Sequence, residues 1–392
     1  MAGAISSTSK YAEITSEIPE LRSDNFKIWK ERVLLHLACT DMDYAIRKDE
    51  PAAITDTSTA AEIALREKWE QSNRLCIMFI MSRIPMGMRG SVEPPREVFS
   101  YNELERATEG FKDELGRGLF GAVYKGTLLY GGENRAIAVK RLEKFVEEGI
   151  REFRAEMSAI GRTHHRNLVQ LLGFCIEDSK MLLVYEFMSN GSLSDLLFKA
   201  TKQPSWKDRV RLIQEVAKGV LYLHEECAVH IIHGNLKSQN ILLDESWTAK
   251  ISDFGFSRLL LMPSHVQMSK ALVEERAAYS APEWQKNAVM SVKVDVFSFG
   301  VVLLETIFFK MNTDVKVSEN EEMVLYRRVY NWYKAGELLK LVEGERNVDV
   351  RTLERLVRVG LWCTQDDPDL RPLMKTVILM LEGTVDVPRP PT

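Results

Sequence analysis

Residues His230–Gly255 read HIIHGNLKSQNILLDESWTAKISDFG, and the reading of this stretch decides the fold. Before it, Trp206–Glu226 (WKDRVRLIQEVAKGVLYLHEE) sets Val210, Ile213, Val216, Val220 and Leu221 at helical spacing, which predicts a core helix. After it, the most apolar long window, Val294–Lys310, is broken by Asp295, Ser298, Gly300 and Glu305. That window falls short of the roughly 18 apolar residues of a membrane span and predicts a buried helix. The chain has 392 residues, enough for two or three domains, and its 45% hydrophobic and 28% charged content is that of a soluble globular protein. A net charge of -4 supplies no basic field, which argues against nucleic acid as a main partner.

The run His233-Gly234-Asn235-Leu236-Lys237-Ser238-Gln239-Asn240, followed by Asp253-Phe254-Gly255, resembles the catalytic loop and metal-binding segment of eukaryotic protein kinases. In that family the loop reads His-Arg-Asp-Leu-x-x-x-Asn. The resemblance implies an α+β class and a two-lobed protein kinase fold, with a small β-rich lobe and a large helical lobe, preceded here by a small all-α segment. It implies ATP and Mg2+ as cofactors, Asn240 and Asp253 as metal ligands, and Lys237 beside the reacting groups. Asn235 then stands where the catalytic carboxylate should be. An amide has nearly the shape of a carboxylate but no charge and no useful basicity, so it cannot accept the hydroxyl proton.

Upstream, Leu115–Gly126 (LGRGLFGAVYKG) carries a Gly-x-Gly-x-x-Gly pattern at Gly116, Gly118 and Gly121, weak by itself. Its setting strengthens it, with Val123 two residues on and the β-type stretch AIAVKR supplying Ala138 and Lys140. By resemblance, these residues surround the nucleotide and Lys140 holds the α- and β-phosphates. Glu156, on the helical stretch EEGIREFRAEMSAIGR, is the implied partner of Lys140. LLVYEFM resembles the hinge, with backbone groups of Glu186 and Met188 toward the adenine edge and Tyr185 narrowing the pocket. His164 and His165 are expected to pack in a turn rather than to bind metal, and Ser192 to cap a helix.

Downstream, Ala281-Pro282-Glu283 resembles the end of an activation segment, with Glu283 expected to pair with Arg371 and Asp295 to bond the catalytic-loop backbone. ILLDESWTAKISDFG, GLWCTQDDPDLRP and the tail VDVPRPP most resemble plant lectin-type receptor-like serine/threonine kinases, as FSYNELERATEGFKDELGRG does their cytoplasmic lead-in. Ser100 is expected to cap a helix there. Gly234 replaces an arginine that many of these kinases also lack, a tolerable change. Arg276 instead replaces the threonine that helps order the base position and the loop lysine, so Arg276 and Asn235 are expected to damage the same corner.

The first segment has two helical patterns, one from Ser23 or Asp24 to Cys39 with Phe26, Trp29, Val33, Leu34 and Leu37, and one over Ser58–Met81 with Leu65, Trp69, Cys76 and Phe79. Glu17–Arg89 resembles the N-terminal part of the gag polyprotein of copia-type retrotransposons, a helical assembly module. The zinc knuckle of that family has no counterpart, because Cys39 and Cys76 are far apart with His36 alone nearby. Pro94 and Pro95 mark a connector. The division is then a helical segment at 1–91, a linker and lead-in at 92–111, a kinase domain at 112–385 (small lobe 112–188, large lobe 189–385) and a tail at 386–392.

The start lacks a basic-then-apolar leader, so the expected location is cytoplasmic, and five scattered cysteines are expected to be reduced. The sequence reads as a kinase fragment that gained a gag-like N-terminus in place of a lectin ectodomain and membrane helix. Three functions fit it. One is an ATP-binding, pseudokinase-like protein acting as decoy or scaffold for related receptor kinases; another is an active Ser/Thr kinase with a protein substrate; the third is a gag-like assembly or nucleic-acid module.

Overall fold

The computed structural model describes residues 26–39, 44–48, 51, 59, 61–66, 68–69, 72, 76, 80, 97–118, 121–130, 133–142, 153, 156–157, 159, 163–177, 180–227, 230–255, 279–285, 291–312, 324–342 and 348–391. The chain divides into two compact units, Met1–Val98 and Phe99–Thr392. No helix among the described residues is long and apolar enough to cross a membrane. Of the cysteines, Cys76, Cys175, Cys227 and Cys363 are free thiols.

In the first unit, helix α1 (Phe26–Cys39) buries Trp29, Val33 and Leu37 against Cys76, with Ile80 packed beside them. This is the expected helical stripe, with Leu34 only half-buried. The second pattern is corrected at Leu65, which is exposed, while Ser72 is buried. The proposed caps Ser23 and Asp24, the residue Phe79 and the Pro94-Pro95 connector lie outside the described residues.

The second unit begins with α2 (Tyr101–Ala107), capped as the sequence requires. Ser100 accepts from the Glu103 N–H, and the Glu103 carboxylate accepts from the Ser100 N–H at 2.7 Å, closing a capping box. Strands β1 (Glu114–Gly118), β2 (Gly121–Tyr130), β3 (Glu133–Leu142), β4 (Leu171–Glu177) and β5 (Lys180–Glu186) form antiparallel neighbours in the order β4-β5-β3-β2-β1.

Side chains alternate across a strand, and this alternation separates structure from chemistry. Ala122, Tyr124, Ile137, Val139, Leu182 and Val184 point to one face, where Phe99, Leu104 and Phe111 cover them. Val123, Ala138 and Lys140 point to the other. The sequence treats 92–111 as linker and lead-in, but from Phe99 onward this segment supplies core. Its polar outer face disguises that role.

The large lobe contains α3 (Leu193–Phe198), α4 (Trp206–Leu221), the short hairpin β6 (Ile241–Leu243) and β7 (Ala249–Ile251), α5 (Pro282–Gln285), α6 (Lys293–Phe308), α7 (Leu325–Ala335), α8 (Val350–Cys363) and α9 (Met374–Glu382). Ser192 caps α3 through a second capping box, with Asp195. Helix α6 is buried along nearly its whole length, as its composition predicts, and Gly300 lets it approach α8. A methyl group on Gly300 would lie 2.7 Å from Cβ of Cys363.

Helix α4 departs from its predicted stripe. Leu212, Ile213, Val216 and Val220 are buried, but Val210 and Leu221 are only half-buried and Arg209 is buried in their stead. The Arg209 guanidinium donates to the Ile307 carbonyl and lies over the rings of Trp206 and Phe309. A buried cation is tolerated when hydrogen bonds and ring faces replace water. Tyr222–Glu226 continues α4 as a π-helical turn, whose local change of pitch delivers His224 to Asp295.

Candidate active site

The inner face of the small-lobe sheet carries the first group of predicted residues. Val123 stands opposite Lys140 across β2 and β3, and Ala138 stands opposite Tyr185 across β3 and β5. Lys140 pairs with Glu156, whose carboxylate is 1% exposed, and also donates to Asp253 Oδ1 at 3.0 Å. The predicted Lys140–Glu156 pair is therefore formed, and it is joined to the segment that carries Asp253.

The three loop glycines differ in what demands them. A Cβ on Gly121 would fall 2.1 Å from the Arg141 carbonyl oxygen, so packing alone excludes any side chain. Gly116 and Gly118 are exposed, and a Cβ on either would meet nothing within 4 Å. The fold does not require glycine at these two positions. Without side chains, these positions allow a ligand to approach the backbone closely.

At the hinge, the Glu186 side chain accepts from Lys250 Nζ and from the Gln170 N–H, both at 2.8 Å, while the Glu186 N–H donates to the Gln170 carbonyl at 3.1 Å. Any backbone bond from Glu186 to a ligand thus falls to its carbonyl. Met188 is buried next to it. Lys250 is a hinge support that the sequence did not disclose, because nothing in local pattern links residues 64 apart.

The catalytic-loop stretch is held from below by one buried carboxylate. Asp295 accepts from the His233 and Gly234 N–H groups at 2.8 Å each and from the His224 ring at 2.9 Å. Burial pushes its carboxyl up, but the hydrogen bond and charge of His224 outweigh this and hold it below the usual carboxylate range. Gly234 has φ +70, a left-handed conformation that costs glycine no strain. His233 donates from Nε2 to the Ser252 carbonyl and accepts the Asn235 N–H on Nδ1, which fixes its neutral tautomer.

Asn235 is 9% exposed, and its side chain does not point toward open solvent. Its Nδ2 donates to Asp253 Oδ2 at 2.6 Å. The Asn240 amide donates to the Asn235 carbonyl at 2.8 Å and reaches the same Asp253 oxygen at 3.3 Å. Asp253 itself has φ +67, uncommon for a residue with a side chain and of the kind that collects at functional sites. Burial raises its carboxyl, but the Lys140 charge and hydrogen bond, aided by Lys237, bring it down to about 2. It is a carboxylate at any physiological pH.

Ser238 and Tyr279 meet at 3.2 Å, and the Tyr279 hydroxyl donates to the buried Glu305 carboxylate at 2.7 Å. Burial and the Glu305 charge push the Tyr279 phenol up. Four residues on from Tyr279, Glu283 forms the expected two-pronged pair with Arg371 at 2.6 and 2.7 Å. Together they tie the end of the activation segment to the loop and to the large lobe. Arg276 lies outside the described residues. His165 stacks on Tyr222 with ring centroids 4.8 Å apart, in keeping with a packing role.

The Lys140–Glu156 pair is thus joined through Asp253 to Asn235 and Asn240. Residues 110–381 match the family model described as protein tyrosine and serine/threonine kinase. The chain belongs to the protein tyrosine and serine/threonine kinase family. This kinase chain is 47% identical over 300 residues to the G-type lectin S-receptor-like serine/threonine-protein kinase LECRK3 of Oryza sativa subsp. indica, covering 76% of the chain and 36% of the relative. It is 44% identical over 319 residues to LECRK1 of the same subspecies, covering 81% and 39%. It is 43% identical over 297 residues to the G-type lectin S-receptor-like serine/threonine-protein kinase RLK1 of Arabidopsis thaliana, covering 75% and 35%. The chain thus spans little more than a third of the length of these relatives.

Proposed function

We propose that this kinase-family chain binds ATP and that its transfer of phosphoryl groups to protein hydroxyls is impaired. The observation that carries the reading is the Asn235 side chain, a hydrogen-bond donor to Asp253 where the reaction calls for a proton acceptor. Lys140, oriented by Glu156, would hold the α- and β-phosphates, with the backbone at Gly116, Gly118 and Gly121 above them. Val123 and Ala138 would flank the adenine, and the Glu186 carbonyl with the Met188 N–H would meet its edge. Lys237 would stand beside the transferred group.

Asn240 and Asp253 offer the hard oxygens that Mg2+ accepts, and with phosphate oxygens they suffice for an ion that usually takes only one or two protein carboxylates. Among the described residues no group of three or more His, Cys, Asp or Glu side chains is placed to hold a metal ion. Mg2+, when bound, would neutralise the β- and γ-phosphate oxygens.

A second reading, an active Ser/Thr kinase, is favoured by the assembled Lys140–Glu156 pair. Loss of a general base costs about 10²- to 10⁴-fold while positioning and electrostatics remain. The partners proposed are protein substrates or related receptor kinases, met on the cytoplasmic side. The segment resembling gag has no part in this proposal.

The test joins binding and turnover. ATP with Mg2+ is expected to raise the melting temperature through preferential binding to the folded state, and Lys140→Ala to reduce the rise. Labelled ATP with a generic protein substrate is expected to give turnover near background. No thermal shift at millimolar ATP, or turnover typical of an active kinase, would overturn the reading.

A further inference from the structure

Residues 386–391 (DVPRPP) form no helix, strand or turn. Pro388, Pro390 and Pro391 fix φ at about −65° and press the residue before each toward extended backbone, which gives a polyproline II segment with about three residues per turn. The burial follows that period: Val387 and Pro390 are buried, while Pro388 and Arg389 between them are exposed. One ridge of the segment therefore packs on the large lobe. Beyond Val385 this segment makes no backbone–backbone hydrogen bond among the described residues.

Two side chains of α8 hold it instead. The Arg358 guanidinium donates to the Val387 carbonyl at 3.3 Å, and the Trp362 indole N–H donates to the Pro388 carbonyl at 3.0 Å. These donors are one helical turn apart and so share a face, and they meet successive carbonyls that a polyproline II chain leaves unpaired. Glu354, a turn earlier, pairs with the guanidinium at 2.8 Å, and the Tyr333 ring of α7 lies 5.9 Å from it. An aromatic lining beside an extended proline-rich chain is a recurring mode of peptide recognition. Carbonyls and an apolar ridge belong to any segment of this conformation, so the face reads shape and not the identity of the chain that supplies it.

We propose that this face of α8, built around Arg358 and Trp362, is a docking site for a proline-rich segment of a partner protein, of the form Val-Pro-x-Pro in polyproline II conformation, and that residues 386–391 occupy it in cis and keep it closed. None of its residues belongs to the set around Lys140, Asn235 and Asp253, so the proposal is independent of the nucleotide-binding reading. A preformed extended segment loses little conformational freedom on docking. The Trp362 bond is exposed to solvent, so the segment can leave without opening the core.

The test is fluorescence anisotropy of a labelled peptide with the sequence of residues 384–391, TVDVPRPP, titrated with the purified full chain. Two variants free the tail and leave the α8 face intact, Val387→Gly with Pro390→Gly and Pro388→Gly with Pro390→Gly, each qualified by a circular dichroism spectrum matching wild type. The freed chains are expected to bind the peptide at least about tenfold more tightly than wild type, whose own tail competes at a high effective concentration. Adding Trp362→Phe to a freed chain is expected to weaken binding about two- to tenfold, the range for one net hydrogen bond. A peptide with alanine in place of both Pro388 and Pro390 is expected to bind more weakly, since it loses the preformed extension. Equal binding by wild type and both freed chains, or no binding by a freed chain that keeps its fold, overturns the proposal. So does a wild-type dimer that dissociates in both freed chains, since the tail would then sit on a second copy.

Discussion

Replacing Arg371 with methionine tests the anchor at the end of the activation segment. Arg371 is 1% exposed, and all five of its N–H groups are used: two on Glu283, and the others on the carbonyls of Lys293, Asp366 and Gln365 at 2.7–3.1 Å. Its guanidinium also lies 5.0 Å from the Phe297 ring. The gross attraction across 2.6 Å is roughly 6 kcal/mol at an effective dielectric constant of about 20, most of it offset by the desolvation of both ions. Removing one partner strands the other, which costs about 3–5 kcal/mol for a buried pair. Arg371→Met should therefore destabilise Phe99–Thr392 by about 4 kcal/mol, a large part of the roughly 5–15 kcal/mol that holds a domain together. The melting temperature should fall by about 10 °C. Equilibrium urea unfolding of wild type, Arg371→Met, Glu283→Leu and the double variant measures the coupling. The double variant should be more stable than the sum of the single losses by at least about 2 kcal/mol, since two apolar groups leave no stranded charge. A loss below about 1 kcal/mol for Arg371→Met, or strict additivity, would refute the buried pair.

Three further outcomes are expected. Asp295 is depressed in the folded state, so its contribution is fully present above the unfolded aspartate value of about 3.9 and is lost as pH falls through the lower folded value; the stability gap between wild type and Asp295→Asn should be full at pH 6 and shrink below about pH 4, as read by urea unfolding across pH. Gly300→Ala should cost about 1–3 kcal/mol by overpacking α6 against α8, checked by thermal denaturation, because its Cβ would meet Cys363 and Thr364 within 2.9 Å. Ser100→Ala should cost about 1 kcal/mol through loss of the capping box, and amide exchange should quicken along α2.

The sequence discloses those parts of this fold whose chemistry is carried by residue type and order. Lys140, Glu156, Asp253, Glu283, Asp295 and Arg371 each appear in a run of text that fixes their place, and the structure brings Lys140 to Glu156, Glu283 to Arg371, and Asp295 to the loop backbone. The capping boxes at Ser100 and Ser192 are equally local. Periodicity fails where polarity and burial part company. Arg209 is a charged residue that a helical wheel assigns to solvent, and only the distant Ile307 carbonyl with the Trp206 and Phe309 rings makes its burial tolerable. Phe99 and Phe111 flank a polar helix and read as lead-in, although they close one face of the small-lobe sheet. Asn235 was legible as an amide where the resembled kinase loop carries a carboxylate. Its bond to Asp253 was not, because a spacing of 18 residues says nothing about which oxygen an amide meets.

The central claim is that Asn235 limits phosphotransfer in a site otherwise assembled for it. The most direct measurement is the rate of labelled phosphate transfer from ATP to a generic protein substrate by wild type and by Asn235→Asp, at saturating ATP and Mg2+. The account predicts a rise of order 10²-fold or more in the variant, the contribution expected of a restored general base. Equal turnover by the two proteins would contradict it.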